Sequence, residues 1–157
     1  MRRVQLKDGR TMLRYRVDGC CDLVLPPFAG KGRADELWQT TCFELFLGNG
    51  SGPYLEFNFS PSARWAAYFF SSYREGRVEP EPGMQPDIHV GQGQEIFLLT
   101  AFLSTEDVAG ATHANVSAVI DEKGGTKSYW ALAHPPGKPD FHDPACFAAI
   151  LPAPGFP

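Results

Sequence analysis

Glu44, Glu56, Asn58, Arg64 and Tyr68 fall at alternating positions of three segments that read as strands. Together they make a kit for holding hydroxyl groups. Carboxylates, an amide and a guanidinium grip hydroxyls through paired hydrogen bonds, while aromatic rings cover apolar C–H faces. Strand side chains alternate between faces, so neighbouring strands must align apolar with apolar. Registers that satisfy this place Glu44 opposite or diagonal to Glu56. They also bring Arg64 near Asn58 and Tyr68 near Tyr54, and leave Ala66 beside Glu56 as a shallow floor. Carboxylates facing each other across a ladder repel unless a cation or a donating ligand lies between them, and Arg64 is the cation within reach. The same residue types also suit a solvated sheet face laced with Glu–Arg pairs, so types alone leave both a ligand platform and an outer surface open.

The three tryptophans divide. Trp65 falls on the apolar register and is expected in the core; Trp38 precedes the strands without a register, at an edge where an indole can stack on a ligand. Trp130 shares its strand face with Ser128 and Leu132, which fits core and site equally. The loop His134-Pro-Pro-Gly-Lys-Pro-Asp-Phe-His142 gathers His134, Lys138, Asp140 and His142 on a rigid backbone, and such loops commonly carry binding residues. His134 and His142, with Asp140 and Asp143 nearby, lack a fixed ligand spacing, so no metal site is assigned. No nucleophile elbow, P-loop, zincin helix or dinucleotide fingerprint occurs. Glu44 and Glu56 as a glycosidase pair would need a cleft, whereas the register puts them on an open sheet face. The expectation is a non-catalytic domain without a cofactor.

These residues are positioned by the stretch from Leu37 to Gly76, three consecutive strands with opposite faces. One face is Phe43, Leu45, Leu47, Leu55, Phe57, Phe59, Trp65, Ala67 and Phe69; the other is Cys42, Glu44, Phe46, Tyr54, Glu56, Asn58, Arg64, Ala66, Tyr68 and Phe70. Turns lie at Gly48–Pro53 and around Ser60–Ala63. Thr11 to Leu25 reads as a hairpin or kinked strand pair around Asp18-Gly19. The segment 75–86, with Pro80, Pro82 and Pro86, is a surface connection. Strands are expected at Ile88–Val90, Glu95–Leu103, His113–Ile120, Thr126–Ala133 and Cys146–Leu151, with one abortive helical turn after Ser104. Eight to ten short strands and no long helix mean a sandwich or barrel.

At 157 residues, with 43% apolar side chains, 16 Gly and 14 Pro, the chain suits a single domain, 1–157, built of short strands and many turns. A net charge of -4 and no basic run argue against a nucleic-acid partner. No apolar run reaches membrane-spanning length, and the N-terminus lacks the apolar core of a signal peptide, so a cytoplasmic location and no membrane partner are expected. Cys20, Cys21, Cys42 and Cys146 show no metal-binding spacing, and adjacent Cys20 and Cys21 point to opposite faces of any strand. Reduced thiols acting as small hydrophobes are expected. Exposed edge strands allow pairing into a homodimer.

The run LW-x3-CFELFL, then YLEFNFSPS-x-RWAAY-x-F-x2-YREG, then W-x-LAHPPGKPDFHDPACFA resembles DOMON-like proteins related to family 9 carbohydrate-binding modules. The resemblance covers Leu37 to Leu151. It implies an all-β, single-domain antiparallel β-sandwich, jelly-roll-like, whose concave face or end holds a sugar or haem. For a sugar-like ligand it implies Glu44, Asn58 and Arg64 as polar contacts, with Trp38 or Trp130 stacking. Its redox branch binds haem between Met and His, for which Met12, Met84, His89 and His113 are the residues present. A third reading is an interaction domain with a vestigial pocket.

Overall fold

Alternation with period two carries most of this chain into strands, and the apolar half of each alternation packs between two sheets. The computed structural model describes residues 2–50 and 52–151. The strands are β1 (Arg2–Gln5), β2 (Arg10–Asp18), β3 (Gly32–Arg33), β4 (Cys42–Gly48), β5 (Tyr54–Phe59) and β6 (Arg64–Phe70). They continue with β7 (Asp87–Gln92), β8 (Ile96–Ser104), β9 (His113–Glu122), β10 (Thr126–Ala131) and β11 (Ala149–Ile150). A four-stranded sheet runs β1-β2-β8-β7; a larger one runs β10-β9-β4-β5-β6-β3, with β11 also on β9. The fold is the expected all-β sandwich. Among the described residues every strand pairing is antiparallel except that of the two-residue β3, which joins the edge of β6 in parallel. No helix among the described residues is long and apolar enough to cross a membrane.

Phe43, Leu45, Leu47, Phe57, Phe59, Trp65 and Ala67 from the large sheet meet Leu13, Tyr15, Ile88, Phe97, Leu99, Ala101 and Leu103 from the small one. Phe43 lies between Tyr15 and Phe97, with ring centroids 5.1 and 5.8 Å away. The Tyr15 hydroxyl, deep in this layer, donates to the Glu44 carbonyl at 2.9 Å, so no polar atom of the ring is left unpaired. Trp65 sits in the core as its register requires, while its indole N–H finds no acceptor among the described residues.

Two segments differ from expectation. Thr11–Leu25 is no hairpin: β2 runs unbroken to Asp18, and Gly19 at φ 71° turns the chain into a 3-10 helix, Cys20–Asp22. The chain then crosses to the large sheet, where the Val24 N–H bonds the Asp121 carbonyl. The final strand is only Ala149–Ile150. Asp143 accepts from the Ala145 N–H at 2.8 Å and starts a 3-10 helix, Pro144–Cys146, that takes up Cys146, the first residue of the expected strand.

β9 anchors β10 and β11 on one edge. Ala131 pairs with Ser117 and Ala149 with Ala114, so the chain leaves this edge and returns to it three positions away. The intervening loop folds over the outward face of the large sheet, with Phe141 and Phe147 packed on Phe46, Tyr54, Phe70 and Val119. A second apolar layer results, beneath which the polar residues of β4, β5 and β9 lie.

Candidate functional site

Hydrogen bonding within the Tyr54–Phe59 strand and its neighbours fixes the register: Glu44 lies opposite Asn58, and Phe46 opposite Glu56. Glu44 and Glu56 are therefore diagonal neighbours on the outward face. On the other side of β4, Glu44 faces Ser117, and on β6 Glu56 faces Tyr68 while Asn58 faces Ala66. The turn joining β5 to β6 is tied by Ser60 and Ser62, whose hydroxyls lie 2.8 Å apart, with Ala63 at φ 70°.

The face is neither open platform nor solvated surface. Glu44 is 3% exposed, Glu56 6% and Asn58 1%, because the loop after β10 lies over them and Leu37 packs at the other end. Glu44 accepts from the Ser117 hydroxyl at 3.0 Å, and Glu56 accepts from the Asn58 amide at 2.7 Å. Burial, and then the neighbouring Glu56, push the Glu44 carboxyl up to about 8 against the hydrogen bond from Ser117. Glu56 is raised to about 7, chiefly by burial, with Asn58, Arg74 and Arg77 opposing. Near neutrality the pair therefore retains proton that exposed glutamates would have lost.

His142 is the residue strand periodicity could not find. Its Nδ1 is 2.7 Å from the Tyr54 hydroxyl and its Nε2 is 3.7 Å from Glu56 Oε2. Proximity to Glu56 would favour the imidazolium, yet burial and Arg74 pull His142 down to about 4, so the ring is neutral. Asn115 joins from β9, its amide donating to the Phe141 carbonyl at 3.1 Å while its own buried oxygen has no partner among the described residues. Asn115 and Ser117 alternate with Ala114 and Val116, and that pattern was readable. Which histidine of a proline-rich loop turns inward was not.

The cover is latched. Asp140 accepts from Arg74 at 2.8 Å and from the Tyr73 hydroxyl, and its other contact, the His142 N–H at 3.1 Å, sets the loop's own turn. The Arg74 N–H in turn donates to the Tyr54 hydroxyl at 3.2 Å. A cavity of about 70 Å³ beside this latch is lined by Tyr54, Tyr73 and His142. Beyond Tyr68 lies a charged rim. The Tyr68 hydroxyl donates to Asp35 at 2.6 Å, Arg33 pairs with Asp35 and Glu79, and the Arg77 guanidinium stands 4.9 Å from the Tyr68 ring centroid.

Of the residues expected at the site, Glu44, Glu56, Asn58 and Tyr68 share the outward face. Trp38 is 52% exposed on a 3-10 helix, Leu37–Gln39, that lies against β4, β5 and β6. Arg64 is held elsewhere, donating to the Ala29 carbonyl at 2.6 Å, and supplies no counter-ion to the carboxylates. Trp130 lies opposite Ala118, a core residue, and so projects from the other side of the sheet. His134 is exposed, its ring 6.2 Å from Phe141. Of the methionines and histidines considered for haem, Met12 and His89 lie on the outward face of the small sheet, and His113 bonds Thr112 at the start of β9 in the large one. All four cysteines are free thiols, with only Cys21 exposed.

No family model matches the chain, and no curated protein matches it in sequence. A solved structure, that of a putative carbohydrate-binding protein from Bacteroides uniformis ATCC 8492, is similar with a TM-score of 0.56 over 92% of this chain and 80% of that one. The two are 17% identical. The likeness is one of fold.

Proposed function

We propose that this chain is a non-catalytic carbohydrate-binding domain, which takes a sugar-like ligand on the outward face of its large sheet. The observation that carries this is the buried carboxyl pair. Glu44 and Glu56 each receive a single side-chain hydrogen bond, from Ser117 and Asn58, and no lysine or arginine among the described residues pairs with either. Burying carboxyl groups without counter-ions costs stability and holds proton on the pair, so a fold that keeps them carries donor and acceptor capacity that its own side chains do not use. Sugar hydroxyls, which both donate and accept, match it in size and neutrality. Trp38, exposed at the Cys42 end of the same face, offers a ring for the apolar side of a sugar, and Tyr68 with the Arg33–Asp35 pair forms the adjoining rim.

The reading is in keeping with the resemblance to DOMON-like proteins and family 9 carbohydrate-binding modules, and with the carbohydrate binding ascribed to the Bacteroides protein of like fold. Binding without catalysis is proposed because Glu44 and Glu56 are diagonal neighbours on one sheet face and do not flank a bond from opposite sides.

Titration calorimetry against a panel of mono- and disaccharides tests it. Glu56→Gln and Asn58→Ala should weaken a bound sugar at least tenfold and Trp38→Ala comparably, with unchanged circular dichroism. Arg64→Ala should bind as the parent does. If no sugar of the panel binds, or Glu56→Gln binds unchanged, the reading fails.

A further inference from the structure

Trp130 is 65% exposed although it points to the inner side of the large sheet. The cause is a mismatch in width. The small sheet has four strands, and β1 pairs only with Thr11–Arg14 of β2, so β2 is a free edge from Tyr15 onward among the described residues. None of the described strands lies over the inner face of β10. Between it and the free edge opens a cleft of about 320 Å³, walled by Val17, Phe43, Val116, Ile120, Trp130 and Leu132.

Three features make this more than a packing gap. The Trp130 indole N–H donates to Ser128 Oγ at 3.0 Å, which fixes the ring and leaves its face with no polar demand. Leu132, two residues on and on the same side, is also exposed, so a tryptophan and a leucine are kept in water beside a core that could have taken them. At the mouth, both Nε and Nη2 of Arg16 donate to one oxygen of Asp18, at 2.9 and 2.7 Å, so the entrance carries no net charge.

We propose that this cleft is a second binding site, for a small uncharged planar aromatic molecule of one or two rings that stacks on Trp130. The volume lies at the lower end of the ~300–1,000 Å³ range of small-molecule sites. Apart from Ser117 and the Arg16–Asp18 pair at the mouth, the lining is aliphatic or aromatic, which suits an aromatic ring and leaves most sugar hydroxyls unpaired. No Met or His among the described residues lines the cleft, so it offers a haem iron no axial ligand of those types. The site is independent of the outward face, because Trp130 and Glu44 project from opposite sides of the sheet.

Prodan, a neutral fluorescent probe built on a single two-ring naphthalene, tests the proposal on the full chain. The expected result is saturable one-site binding with enhanced probe emission and energy transfer from tryptophan. Trp130→Ala should weaken it at least tenfold, and Val17→Asp, which puts a charge in the mouth, should do the same. Trp38→Ala and Glu56→Gln should leave it unchanged. Amide and indole N–H shifts in a two-dimensional NMR titration should cluster at Val17, Ile120 and Trp130. Absence of saturable binding by the folded parent, unchanged affinity in Trp130→Ala, or shifts centred on the outward face would each overturn it.

Discussion

Titration of Glu44 and Glu56 governs how stability responds to pH. Their folded pKa values of about 8 and about 7 stand above the ordinary 4.5, so the folded state keeps protons that the unfolded chain releases. Their contribution is therefore full below about pH 4.5 and is lost as pH rises through 7 and 8. His142, lowered from 6.5 to about 4, acts the other way: its contribution is present above 6.5 and is lost as pH falls through 4. Two carboxyls against one imidazole leave a net fall from about pH 4.5 to 8, steepest just above 6.5 where His142 no longer opposes it. Melting temperature should fall across that interval, and Glu44→Gln should flatten the fall, gaining about 2–4 °C at pH 8 for each kcal/mol recovered. An unchanged slope in that variant would remove Glu44 from the account. Thiol chemistry gives a second check: in native protein a thiol reagent should modify Cys21 rapidly and leave Cys20, Cys42 and Cys146 until unfolding. At this scale the sequence was informative about which side chains share a face and silent about cover. Alternation put Glu44, Glu56 and Asn58 together, yet whether a face meets water depends on a loop some eighty residues later.

Elements show the same division. β4, β5 and β6 were legible because their apolar sets align in one register alone and their turns hold glycine, proline and serine where the chain must reverse. Ala63 is the exception, a non-glycine residue at φ 70° in the Ser60–Arg64 turn. Ala63→Gly should therefore be neutral or stabilising by up to about 1 kcal/mol in chemical denaturation, where a glycine replacement elsewhere in the sheet would cost as much. Legibility failed at Thr11–Leu25 and Cys146–Leu151 for a common reason. Short apolar alternation implies continued pairing, whereas Gly19 and the Asp143–Pro144 cap each start a 3-10 turn that redirects the chain. Removing that cap by Asp143→Ala should cost about 1 kcal/mol and loosen the cover over Glu56, seen as faster amide exchange at Phe141 and Cys146.

For the whole molecule, the sandwich was predictable from turn spacing and the scarcity of helix signals, but the pairing order was not. β2 joins β8 and β4 joins β9 over long separations in sequence, and nothing local dictates such partners. This topology brings a kinetic expectation: pairings so distant in sequence should put folding in the millisecond-to-second range, measurable by stopped-flow refolding. Phe59, fully buried between Tyr15 and Phe57, ties the two sheets; Phe59→Ala should cost about 3–5 kcal/mol. The unequal widths of the sheets were also invisible beforehand, since width follows from how far β1 extends along β2.

Both ends of the loop that covers Glu56 stand on one edge of β9, at Ser117 and Ala114. The sandwich beneath closes without it, because β9 is already secured by β4 on its other side. The largely exposed part of that segment, residues 134–139, is thus the place where length and composition can change most freely, while Asp140, Phe141 and His142 keep the loop seated on the strands. On the proposed sugar-binding reading, selectivity can therefore be recast by exchanging that one short stretch, and a library built there samples new ligands without redesigning the domain that displays them.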